Sequence, residues 1–332
     1  MTQAYPRNPV GRQRGAAILT AMLTVVLVAT LAASALWQQW RGIEVEAAER
    51  SRTQSVWVLT GALDWARLIL REDARQGGAD HLAEPWAVPL EQARLSTFLA
   101  FDRSDALAAD ETADAFLSGR MLDLQARLNV TNLVQNGKVH EPSRLAFERL
   151  FVHLGLPEPE LATLAAQLVL AQAKGADPAT PPNTPPSGVP LWPQDLDQLA
   201  WVGLSARSLA VLRPYISLLP VATPVNLNTA SAEVIYASVE SFELADAHQL
   251  VTRRQAAHFA TLTDARKAIG KPNSLNDTQH ACKTDFFEVN GNLQVNQTTV
   301  QEKSLVKRDA LEVKTLLRQR GVAVIMPTYN AR

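Results

Sequence analysis

The chain has 332 residues, 47% of them hydrophobic and 20% charged, with a formal net charge of −1. That is enough for a real core and for two domains, or for one domain with a large insertion. The charge balance gives no general attraction for nucleic acid or anionic lipid, and the single Cys282 excludes an intramolecular disulfide framework and any cysteine-cluster metal site.

Arg7, Arg12 and Arg14 precede an abrupt apolar run, and this leader has no acid. From Ala16 to Trp37, about 22 uncharged residues span roughly 33 Å as a helix, enough to cross a bilayer's hydrocarbon core. The arginines place the N-terminus in the cytoplasm and the rest outside the inner membrane. Trp37 and Trp40 stand at the exit, where interfacial aromatics belong. Three readings compete: a cleaved secretory signal using "LAASA", a plain signal anchor, and a segment processed at its start. A secretory signal has a shorter apolar core, of about 7–15 residues. The third reading rests on "RQRG|AAILT", which resembles the cleavage site of type IV prepilins and type II secretion pseudopilins. Carried over, the cut falls between Gly15 and Ala16, and Ala16 becomes a methylated N-terminus. Those families usually carry Glu at the fifth mature position, where this chain has Thr20.

The helical pattern continues to about Asp73, with Val56, Leu59, Leu63, Ala66 and Leu70 at spacings of three and four. That is one apolar stripe on a solvated helix. "RQGGADHLAEPWAVPL" is a loop punctuated by Gly77, Gly78, Pro85 and Pro89. "DLQARLNVTNLVQNGKVHEP" alternates and carries the hairpin signal Asn136-Gly137, predicting antiparallel strands. Helical segments follow from about Glu141, interrupted by the proline-rich loop 176–193. After about Lys283 the chain returns to strand-like alternation, with a turn expected at Asn290-Gly291. Strands on both flanks of a helical block imply one sheet interrupted by an insertion.

No G-x-S-x-G, H-E-x-x-H, P-loop or G-x-G-x-x-G pattern is present. Asp80, His81 and Glu84 lie close in sequence and invite a metal or acid–base reading. The competing reading is a polar loop, with Trp86 plugging the gap between spine helix and sheet. Cys282 has no activating pattern around it. Residues 225–254 resemble the helix-hairpin-helix repeats of DNA-uptake and repair proteins, through Asn226, Asn228 and Thr229, which would hold and cap the first helix. The hairpin itself has no glycine and carries Glu240, Glu243 and Asp246, which repel phosphate. Helix-hairpin-helix DNA binding by a membrane-anchored uptake protein is therefore the alternative, and a structural helical module the preferred reading.

Taken in order, "RQRGAAILTAML", "RLILREDARQGGADHLAEPWAVPL", "LQARLNVTNL", "DLDQLAWVGLSARSLAVLRPYISLLPVATPVNLNTASAEVIY" and "TDFFEVNG" are similar to the K-type minor pseudopilins of type II secretion. The lack of Glu at the fifth mature position is typical of that subfamily. The resemblance implies an α+β, pilin-like fold: a long N-terminal helix on an antiparallel sheet, with a large α-helical, helix-hairpin-helix-like (SAM-like) insertion between strands. It implies a leader 1–15, a transmembrane half 16–37, a first pseudopilin part 38–140, an inserted domain 141–282 and C-terminal strands 283–332. It further implies a non-enzymatic, single-pass inner-membrane protein with its bulk in the periplasm, cut by prepilin peptidase. At the fibre tip it would start pseudopilus assembly with the I- and J-type minor pseudopilins, the major pseudopilin and the inner-membrane secretion platform, with no nucleic acid as partner. The exported cargo is folded exoproteins, moved across the outer membrane. Family members bind calcium in the soluble part. Asp264, Asp277 and Asp285 fall in the matching region, but no EF-hand-like loop is present. Relatives carry a disulfide that the lone Cys282 cannot form.

Overall fold

A computed structural model describes residues 14–95, 115–175, 190–271, 274–295 and 298–324. The leader before Arg14, most of the proline-rich loop (176–189) and the last eight residues lie outside these. The described residues divide between Val58 and Leu59 into two compact units.

Helix α1 runs Arg14–Gln76. Within the first unit its large apolar side chains from Ile18 to Trp37 point to every side and are exposed. An 18-residue window reaches a mean hydropathy of 2.4. A helix that is apolar all round needs lipid or protein on every side. The surface turns polar from Gln38, Gln39, Arg41 and Glu44 onward, and Glu46 pairs with Arg50 one turn later.

In the second unit the same helix carries a single buried stripe, Leu59, Leu63, Ala66 and Leu70. The stripe packs on a five-stranded antiparallel sheet in the order β1-β2-β9-β10-β11. The strands are β1 (Leu90–Arg94), β2 (Ala115–Asp123), β9 (Phe286–Val295), β10 (Thr298–Asp309) and β11 (Glu312–Val324). β2 pairs directly with β9, from Ala115↔Val295 to Asp123↔Phe287. The sheet is thus assembled from both sides of the helical block. Trp86 lies 1% exposed among Leu63, Leu70, Met121, Phe287 and Val306. Its ring meets Phe287 edge-on at 5.1 Å, an arrangement that favours opposite quadrupole ends. The tryptophan fills the gap between helix and sheet.

Two sequence expectations are corrected. Asn290-Gly291 is not a turn; both residues lie within β9. Gly291 faces Gly119 across the ladder. A Cβ on Gly291 would stand 3.2 Å from Leu59 Cδ2, and one on Gly119 would stand 2.9 Å from the Asn290 carbonyl oxygen. Gly291 permits close approach of helix and strand, and Gly119 close approach of strand to strand, which is the other reason glycine occurs inside a sheet. β9 and β10 pair from Val295↔Thr298, their connection lying outside the described residues, and the β10–β11 turn includes Ala310, whose φ is +50°.

The second correction concerns the stretch from Leu124 to Val139, expected as strands of the sheet. It turns away after β2 through short 3-10 turns and joins the helical block. β3 (Leu128–Asn129) pairs in parallel with β6 (Ile216–Ser217). β4 (Val134–Gln135) and β5 (Lys138–Val139) form the expected hairpin, with Asn136 at φ +53° and Gly137 at +70°. These angles belong to a type I′ turn.

The block contains α2 (Glu141–Leu154), α3 (Glu158–Gly175), α4 (Ala206–Leu212), α5 (Ala232–Ser238), α6 (Leu244–Ala256) and α7 (Leu262–Ile269). A short parallel pair, β7 (Val225–Asn226) with β8 (His280–Ala281), closes it. Phe147, Phe151, Leu164, Leu168, Val202 and Ile235 form its own apolar core. Gly155 ends α2 in the left-handed conformation, and its N–H reaches back to the carbonyls of Phe151 and Val152.

Candidate functional site

α1 ends because Gly77 and Gly78 take positive φ. The chain then places Asp80 in the interior, 3% exposed, where helix, sheet and block meet. Every polar group of Asp80 is used. Its N–H donates to the Cys282 carbonyl at 2.9 Å, and its own carbonyl accepts from Asn226 Nδ2 at 3.1 Å. Its carboxylate accepts from Thr284 N at 2.8 Å and from Arg308 Nη2 at 2.5 Å. Arg308, near the end of β10, also binds Asp73 of α1 at 2.5 Å and donates to the Thr284 carbonyl at 2.7 Å. Glu84 Oε2 accepts from His81 N at 2.9 Å and from Trp86 Nε1 at 2.7 Å, so this carboxylate fixes the tryptophan's orientation.

A second buried carboxylate, Asp123, stands at the exit of β2. It accepts from Gln125 N (2.7 Å), Asn226 Nδ2 (2.9 Å) and Thr229 Oγ1 (2.5 Å). Gln125 passes the connection on, donating to the Pro224 carbonyl and accepting from Asp285 N. Asn228 reads the backbone of Phe259 in both directions, at 2.9 Å each way. These are interactions whose removal strands a buried polar partner, which is where loss is costly.

The expected capping roles are thereby corrected. Ser231 is the N-cap of α5, its side chain accepting from Val234 N. Asn226 does hold the preceding turn, accepting from Asn228 N at 3.0 Å. Its amide, with Asn228 and Thr229, otherwise binds distant segments. Sequence spacing suggests a local cap because the partners, Asp80, Asp123 and Phe259, are far away along the chain.

The electrostatics follow from burial. Asp73 is pushed up to about 6, by desolvation first and by Glu84 second, against the pull of Arg308. Burial also raises the Asp123 carboxyl, opposed by its hydrogen-bond donors. Desolvation works against the charge on Arg308, but Asp80 and Asp73 more than offset it. His81 is lowered by burial and by His258, on which it stacks at 3.8 Å. Burial pushes the Cys282 thiol up to about 11, so it remains a protonated, inert thiol.

Among the described residues, the oxygens that gather closely enough for a metal are those of Asp73, Asp80 and Glu84, within 4.8 Å of one another. His81 is not one of them. Calcium takes six to eight oxygens, whereas here both Asp80 oxygens and one oxygen each of Asp73 and Glu84 are already bonded to donors of the chain. The residues do not form a calcium cage. Nor do Asp264, Asp277 and Asp285 gather. Asp264 closes the capping box of α7 with Thr261, Asp277 pairs with Arg266, and Asp285 lies beside Arg308.

The helix-hairpin-helix resemblance carries no phosphate site. Between α5 and α6, Arg149 donates to the carbonyls of Tyr236, Glu240 and Phe242, and Lys271 bonds the Ser241 carbonyl and Asp246. The turn thus offers carbonyls, already engaged, where a phosphate would need N–H groups. Arg254 is half-buried and donates to the Leu227 carbonyl.

Near the membrane end of α1, Thr20 Oγ1 donates to the carbonyls of Ala16 and Ala17, at 3.0 Å each. Gly15 and Ala16 lie in the first turns of the helix.

Two family profiles match, both described as type II secretion system (T2SS), protein K: one over residues 126–221, the other over 225–282. The type II secretion system protein K of Pseudomonas aeruginosa is 27% identical over 323 residues, covering 92% of this chain and 89% of that one. The protein K of Pectobacterium carotovorum subsp. carotovorum is 24% identical, covering 93% and 97%. Among solved structures, the crystal structure of the GspK-GspI-GspJ complex from the type 2 secretion system of enterotoxigenic Escherichia coli contains a chain with the same fold. Its TM-score is 0.62 at 17% identity, and the match covers 82% of this chain and 98% of that one.

Proposed function

Because this chain belongs to the protein K family of the type II secretion system, a family of minor pseudopilins, we propose that it occupies the tip of the pseudopilus and initiates its assembly. Thr20 carries the tip position. In pilin-like fibres a glutamate at the fifth mature position neutralises the terminal amine of the subunit ahead. A first subunit has no such amine to meet, and an unpaired carboxylate in lipid is costly. Thr20 instead closes its hydroxyl on its own helix backbone.

On this reading prepilin peptidase cuts between Gly15 and Ala16 and methylates Ala16. The N-terminus faces the cytoplasm, the apolar helix crosses the inner membrane once, and residues from α1's polar half onward lie in the periplasm. The GspK-GspI-GspJ complex supports I- and J-type minor pseudopilins as the partners. The major pseudopilin then extends the shaft from the inner-membrane secretion platform, and its growth pushes folded exoproteins across the outer membrane. The protein acts by packing rather than by catalysis. The buried junction supports this role, since Asp80 and Asp123 bond Asn226 of the helical block and Asp80 also bonds the Cys282 carbonyl.

The test is top-down mass spectrometry of the protein taken from membranes, with co-purification of the I- and J-type partners. The expected species begins at methylated Ala16. A chain that retains the leader, or one cut in "LAASA", overturns the reading.

A further inference from the structure

The cleft beside the junction has a volume of about 170 Å³ and is walled by Asp73, Asp80, Glu84, Lys283, Asp285 and Arg308, with Gly77 and Gly78 at its rim. Four carboxylates around so small a space call for a cation. Lys283 and Asp285 are exposed at the cleft's edge, and the buried cation is the guanidinium of Arg308. Its side chain is 9% exposed and reaches Asp73 (12% exposed) and Asp80 (4%) at 2.5 Å each. Its plane also lies over Phe287, 5.0 Å from the ring centroid.

A planar fork suits this position. It bonds two carboxylates from different segments and a backbone carbonyl at once, which a lysine's point charge does less well. The segments so joined are the end of α1, the loop after it and the chain leading into β9. A divalent ion bound to the same three carboxylates would lie against the guanidinium, and like charges at that range repel strongly.

We propose that Arg308 is the resident cation of the Asp73–Asp80–Glu84 cluster, seated where a divalent ion would otherwise bind, so that this junction is held without metal. Removing the guanidinium turns the cluster into a divalent-cation site.

The experiment uses the full chain in detergent micelles, with thermal melts in excess EDTA or excess calcium, and terbium emission excited through tryptophan. Trp86 Nε1 lies 2.7 Å from Glu84, so a lanthanide on that carboxylate would sit beside the indole. In the wild type the Tm is the same in EDTA and calcium, and no terbium emission depends on Trp86. Arg308→Met lowers the Tm in EDTA by roughly 10 °C, regains most of it in calcium, and gains terbium emission that Trp86→Phe removes. Arg308→Lys keeps a charge in place and gains neither property. Three results overturn the proposal. These are Trp86-dependent emission in the wild type, a calcium shift of the wild-type Tm that Asp80→Asn abolishes, and an Arg308→Met protein as stable as wild type in EDTA. Should Arg308→Met not fold, wild type and Arg308→Lys decide. Trp86-dependent emission from either one refutes the proposal, and its absence from both, with a calcium-independent Tm, upholds it.

Discussion

The two parts of α1 obey different rules within one continuous helix. From Ile18 to Trp37 every large side chain is apolar and exposed within its own chain. From Leu59 to Leu70 one residue per turn is buried and its neighbours are polar or half-exposed. The same local structure is thus prepared for two solvents. A helix that is apolar all round has its partner outside the chain; a striped helix has it inside. Hydrophobicity alone does not say where a residue's stabilising contacts lie, whereas its angular distribution does.

The strongest way to break this comparison acts at its origin. Gly15→Val should abolish processing, giving a chain that keeps its leader mass and fails to support secretion. A mature-size product would refute the prepilin reading. Next, Leu70→Ala should destabilise the second unit by about 2–5 kcal/mol, measured by denaturant unfolding of the detergent-solubilised chain. Leu70 is 0% exposed, so a cavity must open.

A pH series sharpens the contrast inside the second unit. His280 is 2% exposed and burial lowers its pKa to about 4, against 6.5 when unfolded. The native state binds fewer protons there, so this stabilisation is complete above pH 6.5 and is lost as pH falls towards 4. The loss is on the order of 3 kcal/mol. Asp73 acts in the opposite sense. Its native pKa of about 6 exceeds the unfolded 3.8, so its contribution falls as pH rises from 4 to 6. The two contributions, of similar size, nearly cancel in the wild type, so His280→Gln should gain stability on acidification and Asp73→Asn should lose it, read from unfolding midpoints across the series.

Gly119→Ala is expected to cost about 1–3 kcal/mol, because its Cβ would meet a backbone carbonyl that a rotamer change cannot move. Smallest of all, Leu27→Ala should leave the unfolding of the second unit within about 0.5 kcal/mol of wild type. A large effect there would mean that the helix surface is covered from within the chain.

Much of this architecture was legible in the residues. The spine's two faces, the type I′ hairpin at Asn136-Gly137, Trp86 as the plug and a helical block between strands all rest on local patterns. The misreadings share a cause. Asn290-Gly291 has the composition of a turn, but a spine leucine, remote in sequence, decides its use. Asn226, Asn228 and Thr229 look like local caps, but their partners are Asp80, Asp123 and Phe259. Arg308 carried no signal in "SLVKRDALEVK", because nothing nearby in sequence marks it as the counter-ion of Asp73 and Asp80. Long-range polar pairing has no periodicity, so it is the part of the candidate site that a sequence hides.

The pairing of β2 with β9 has a consequence for the order of events at birth. Asp123 and Phe287 are ladder partners with the whole helical block between them. Closing so long an unfolded loop is entropically costly and slow. A block that has its own core can fold first and deliver the two strand ends side by side. As the chain is made, spine first, the stripe of Leu63, Ala66 and Leu70 therefore waits for strands β9 to β11, which follow the whole helical block. During that interval the nascent chain exposes the surface on which the sheet will later be built, and it is then that a holdase chaperone would find it.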